Sequence, residues 1–209
     1  MIRGLQARNE TLNVGVVGLG VGALAWYARP SERWTFYEIN PAVVDLAGDA
    51  RWFGFLDHSR AGELDVVLGD ARLMLEHAAD DAYDLIVLDA FSSDAVPLHL
   101  LTREAVQLYL DKLRPGGLLV FHISNRYLDL ATPIARVGES AGMQAFLRTL
   151  SLTDEQQAAQ YAPSGWLVLA AAATDVPPAS GQAQWWPLSP TAGAVWTDDY
   201  SNIWTAFTR

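Results

Sequence analysis

From Asn13 to Ala172, short apolar runs alternate with stretches of helical period, and this alternation constrains the fold more than any other feature of the chain. NVGVVGLG (13–20), RWTFYEIN (33–40), LDVVLGD (64–70), YDLIVLDAF (83–91) and GLLVFHIS (117–124) each read as a strand: a brief apolar run closed by Gly, Asn, Asp or Ser. Between them, Val21–Arg29 reads as a helix that Pro30 stops. PAVVDLAGDARWF carries apolar residues at helical spacing behind a proline suited to a first turn. ARLMLEHAAD follows the third strand, Leu98–Leu113 is a long amphipathic helix stopped by Pro115-Gly116-Gly117, and Leu128–Gly142 is the next helix. QAFLRTLS and SGWLVLAAA supply two further strands around TDEQQAAQYA, a short helical insertion. Strand alternating with helix predicts an α/β fold, an open, doubly wound, mostly parallel sheet with right-handed crossovers. The chain of 209 residues shows no repeat and no linker, so a single domain spans 1–209, with its core at 13–172 and a loop-rich, Trp-containing tail at 174–209.

Composition narrows the classes of function. A hydrophobic share of 51% argues against disorder. A net charge of −10 argues against a nucleic-acid footprint and favours a cationic partner. No apolar run reaches the roughly 20 residues that cross a bilayer, so no membrane segment is expected in this chain. Cysteine is absent, which excludes disulfides and thiolate metal sites and fits a reducing, cytoplasmic setting. The four histidines (58, 77, 99, 122) lack ligand-like spacing, so no metal is expected.

In doubly wound sheets, ligands bind beyond the carboxyl ends of the strands. Four strand ends here carry chemistry. Gly18-Leu19-Gly20-Val21-Gly22 opens a helix directly after a strand, where glycines let the backbone turn sharply and approach a ligand. The spacing is GxGxG, with Ala23 where the dinucleotide fingerprint GxGxxG has its last glycine. Glu38 ends the second strand, where a carboxylate can accept from both hydroxyls of a ribose. Asp70, followed by Ala71, ends the third; it can accept from an adenine amino group or cap the following helix. Asp89 ends the fourth and opens DAFSSDAVP, with a second carboxylate at Asp94.

GLGVGALA, YEIN, GDARLML and YDLIVLDAFSSD, in this order, resemble the nucleoside-binding half of the class I S-adenosylmethionine-dependent methyltransferase superfamily. More narrowly, they are similar to spermidine synthases, which are aminopropyltransferases, and to the spermidine-synthase-like domains. The resemblance covers about residues 13–172, and Trp196-Thr-Asp-Asp-Tyr-Ser-Asn202 extends it into the tail. It implies a Rossmann-like sheet of seven strands, the last one antiparallel and inserted between the fifth and sixth. It implies a co-substrate, decarboxylated S-adenosylmethionine or S-adenosylmethionine itself, held by Gly18, Gly20, Gly22, Glu38, Asp70, Ala71 and Asp89. It implies a putrescine-like amine as acceptor, activated by Asp94, and admits a homodimer.

Three departures from the family pattern bear on the chemistry. Val21 stands where the family carries an Asp that helps hold the donor's amino group. The N-terminal β-domain that walls the family's amine pocket is not expected within these residues. His122-Ile-Ser-Asn125 replaces a typical Gln-Gly-Glu; His122 would line the acceptor pocket, act as a base, or be a hydrogen-bonded strand end. Tyr127 adds an aromatic wall. Asp198 and Asp199 fold over the site or are solvated. The expected activity is aminopropyl transfer to an amine, with methyl transfer on the same fold or a non-catalytic nucleoside-binding domain as alternatives.

Overall fold

The computed structural model describes residues 1–90, 97–125, 128–150, 152–153, 155, 158–159, 164–178 and 184–206. The expected insertion TDEQQAAQYA falls mostly outside them.

The apolar runs form strands β1 (Asn13–Val17), β2 (Arg33–Glu38), β3 (Glu63–Leu68), β4 (Tyr83–Leu88), β5 (Leu113–His122), β6 (Gln144–Leu150) and β7 (Ser164–Ala170), joined by an eighth short strand, β8 (Trp186–Leu188). Their order in the sheet is β3-β2-β1-β4-β5-β7-β6-β8. β1 lies between β2 and β4 and is parallel to both, so strand order reverses there. That reversal opens a crevice at the carboxyl ends of β1 and β4. As expected, β7 inserts antiparallel between β5 and β6, with Val120 opposite Val168 and Phe146 opposite Val168 on the other edge. β8 was not anticipated. Its Pro187 has no amide hydrogen to give, which an edge strand tolerates, and it pairs with Phe146 along the free side of β6.

Both faces of the sheet are covered, which is why the strands read as continuous apolar runs. Along β1, Val17 joins one buried cluster while Val14 and Val16 join the other. The first cluster packs against helices α3 (Ala71–Glu76), α4 (Arg103–Lys112) and α5 (Ala131–Ser140). The second packs beneath α1 (Ile2–Arg8) and α2 (Pro41–Ala47). α1 gave no periodic signal because Leu5 is its single buried residue. It is tied down instead by Arg8, which donates to the carbonyls of Thr174 (3.0 Å) and Asp175 (3.1 Å).

Local chemistry sets the element ends. The Asn40 side chain accepts from Ala42 N–H at 3.0 Å, ahead of Pro41 in the first turn of α2. The helix expected over Val21–Arg29 is only a 3-10 turn, Ala23–Tyr27. Gly22 in the left-handed region delays its start and Pro30 forbids its extension, leaving room for little more than one turn. The helix expected over Leu98–Leu113 splits into a 3-10 turn, Leu98–Leu100, and α4, because Thr102 caps α4 by accepting from Ala105 N–H. Pro115-Gly116-Gly117 lies inside β5 rather than before it. The register against β4 jumps from Tyr83–Leu113 to Leu85–Leu118, and the resulting irregularity absorbs these residues.

Candidate functional site

The carboxyl ends of β1, β2 and β4 and the starts of α2 and α3 enclose a cleft of ≈ 340 Å³. Gly18, Gly20, Glu38, Asp70, Ala71 and Asp89 line it together, so six of the residues read from sequence as nucleoside contacts meet in one place. The glycine turn is demanded by close packing. Gly18 has φ +94, and a Cβ there would sit 2.5 Å from the carbonyl oxygen of Asp89. Any side chain would push the ends of β1 and β4 apart. Gly20, at φ +54, has nothing within 4 Å of where its Cβ would be, so its backbone faces open space. Gly22 turns away: its Cβ position meets Leu56 at 2.8 Å, so its role is to start the 3-10 turn, not to line the cleft.

Glu38 is buried, 8% exposed, and its carboxylate bridges the two loops of the cleft. One oxygen accepts from Leu19 N–H at 3.0 Å and the other from Asn40 N–H at 2.9 Å. A carboxylate has about four acceptor positions, so each oxygen keeps room for one further donor. Beside it, Ile39 is 66% exposed at the cleft lip, an apolar surface suited to the face of a planar base.

Of the two roles left open by the sequence, the structure shows Asp70 in the cap. One oxygen caps α3, accepting from the N–H groups of Arg72 (3.0 Å) and Leu73 (3.2 Å). The other lies 3.1 Å from Nε2 of His99 at the cleft wall. Behind this wall sits a network that sequence reasoning missed. Arg72 donates to both carboxylate oxygens of Asp198, at 2.8 and 2.6 Å, and to the His99 carbonyl at 3.0 Å. Thr102 donates to Asp198 at 2.7 Å, and the Asp198 N–H donates to Glu104 at 3.0 Å. The Arg72 guanidinium holds the Asp198 carboxyl down at about 2. Asp198 is exposed, as one of the two expected outcomes had it, but it is also held by Arg72 and Thr102. It pins the tail to the wall that His99 belongs to. The only sequence signal for this was an Arg two positions after a helix cap.

Asp89 N–H donates to Val17 carbonyl at 2.8 Å, which fixes the end of β4 to the end of β1. Its side chain lies 2.6 Å from Nδ1 of His122, and the His122 ring stacks on Trp166 of β7 at 4.5 Å and 18°. At the start of β7, Gly165 N–H donates to Ser124 Oγ at 2.9 Å. Asp94, Ser92, Ser93 and Tyr127 lie outside the described residues. Among the described residues, no helix is long and apolar enough to cross a membrane.

The cleft thus presents three carboxylates, backbone amides of a glycine turn, and one apolar lip. Hydroxyls and a cation suit Glu38 and Asp89.

No protein-family model matches the chain. It is 30% identical over 176 residues to a polyamine aminopropyltransferase of Vibrio vulnificus, covering 76% of this chain and 57% of that one. It therefore spans little more than half the length of that relative. In structure it is similar to a probable spermidine synthase from Corynebacterium glutamicum, with TM-score 0.61, 19% identity, and coverage of 80% of this chain and 60% of that one. It is also similar to human methyltransferase-like protein 13 in complex with SAH, with TM-score 0.57, 21% identity, and coverage of 86% and 83%. The strand order, the cleft at the strand reversal and the aminopropyltransferase relative agree: the chain is a spermidine synthase-like domain with the class I S-adenosylmethionine-dependent methyltransferase fold.

Proposed function

We propose that this domain binds an S-adenosylmethionine-type sulfonium nucleoside and transfers an aminopropyl group from it to a small, putrescine-like amine. The observation that carries the reading is the Glu38 carboxylate, buried between the glycine turn and α2 with one acceptor position left on each oxygen. Such a group suits the paired hydroxyls of a ribose. Ile39 offers its apolar side to the base, and Asp70 an acceptor edge to the adenine amino group. The sulfonium then lies toward Asp89, where a carboxylate favours its charge. Asp94, five positions beyond Asp89, takes the incoming amine and draws off its proton, since only a neutral amine has a lone pair to attack with. Rate would come largely from holding the amine in line with the carbon next to sulfur. The polyamine aminopropyltransferase of Vibrio vulnificus and the spermidine synthase structure solved with the transition-state analogue AdoDATO support this reading.

A second reading, methyl transfer, is favoured by Val21. An apolar residue at that place in the glycine turn offers no counter-charge to the amino group of a decarboxylated donor. Calorimetry separates the two. Decarboxylated S-adenosylmethionine should bind more tightly than S-adenosylmethionine, and methylthioadenosine binding should strengthen with putrescine. Preference for S-adenosylmethionine, with no effect of putrescine, would move the assignment to methyl transfer. No binding of any of the three would leave neither reading standing.

A further inference from the structure

We infer that His122, oriented by Asp89 and Trp166, is a proton acceptor in the transfer reaction; this rests on the transferase reading above. Leu88 and Phe121 are register partners on parallel strands, so Asp89 and His122 leave β4 and β5 side by side at the carboxyl end of the sheet. The imidazole Nδ1 lies 2.6 Å from an Asp89 oxygen. A carboxylate only accepts, so Nδ1 carries the hydrogen, and in the neutral ring the lone pair is on Nε2. Among the described residues Nε2 has no partner. The ring cannot turn freely, because Trp166 stacks on it at 4.5 Å and 18°. The imidazole is 27% exposed, and Asp89, which lines the cleft, 35%. A structural strand-end histidine would need one hydrogen bond; this one has a carboxylate on one nitrogen, a stacked indole across its face, and, among the described residues, nothing on its other nitrogen.

The step balances without another reactant. The amine nitrogen bonds to the donor carbon while the carbon–sulfur pair goes to sulfur, which leaves as a neutral thioether. The proton released from nitrogen passes to Nε2, and the imidazolium so formed faces the Asp89 carboxylate. This is the proton that the nitrogen sheds after attack; the one that Asp94 draws off is lost before it, when the ammonium becomes a neutral amine. Of the strands flanking His122, β4 contributes Asp89 and β7 no titratable group. One strand further, Arg148 is the register partner of Trp166.

The test is His122→Gln, whose amide can still donate to Asp89 but has no basic lone pair. Release of methylthioadenosine from decarboxylated S-adenosylmethionine with putrescine and other small amines is followed across pH, with methylthioadenosine affinity measured alongside. The expected result is unchanged nucleoside affinity, kcat lower by about 10²–10⁴, and an acid limb of the kcat profile displaced to lower pH, where carboxylates titrate. Wild-type turnover and profile in the variant overturn the role of His122 and leave the transferase reading intact. No transfer by the wild-type protein, from either donor to any amine, with the nucleoside bound, overturns both. If His122→Gln does not fold, the same outcomes are read on His122→Asn.

Discussion

Replacing Glu38 by Gln tests the ribose assignment and the cleft architecture together. The carboxylate accepts from Leu19 N–H on one side and Asn40 N–H on the other. A glutamine keeps one acceptor oxygen. Its NH₂ must face the other backbone N–H, leaving a buried donor unpaired at a cost of about 1–3 kcal/mol. For a chain of this size Tm falls by about 2–4 °C per kcal/mol, so a drop of about 2–12 °C is expected. The effect on binding is separate. The acceptor positions remaining for the ribose change from charged to neutral, and one becomes a donor. Losing a charge-assisted bond of about 1.5–3 kcal/mol weakens methylthioadenosine binding roughly ten- to hundredfold. Titration calorimetry measures the affinity, and thermal melts with and without the nucleoside measure the stability. If Tm falls while affinity is unchanged, Glu38 is only a brace between two loops and the ribose assignment is wrong. If neither moves, the hydrogen bonds to Leu19 and Asn40 carry no weight.

Asp94→Asn should leave methylthioadenosine affinity intact and lower turnover with an amine by about 10²–10⁴; equal turnover removes Asp94 from the mechanism. Asp198→Asn should loosen the tail and the wall carrying His99, seen as faster backbone hydrogen exchange at 97–102 and weaker nucleoside binding. Because the Asp198 carboxyl is held down at about 2 against its ordinary 3.8, its stabilising contribution is present above that ordinary value and is lost as pH falls through about 2. Acid titration of the wild type should show this loss and Asp198→Asn should not, while identical acid transitions refute the pin. Tyr109 is fully buried and its hydroxyl has no partner among the described residues. Tyr109→Phe should therefore leave Tm unchanged or raise it, whereas a clear fall would reveal a hydrogen bond that the hydroxyl makes.

The sequence by itself determined the alternation of strand and helix, hence the sheet, because a two-sided buried strand must be an apolar run whatever its neighbours are. It also determined which strand ends carry chemistry: Gly18, Glu38, Asp70 and Asp89 stand one after another at the ends of apolar runs, and the sheet could only bring those ends together. The tertiary structure decided what pairs with what. Asp89 meets His122 and Asp70 meets His99 across 33 and 29 residues of chain, and Arg72 meets Asp198 across 126. No local pattern encodes such partners, since each side chain alone reads as an ordinary polar surface residue. The same holds for Gly18 and Gly22, alike in sequence and both at positive φ, one held against the Asp89 backbone and the other against Leu56. Spacing along the chain placed both in a turn; only the packing of β4 and of residues 55–56 around that turn decided which of them lines the cleft.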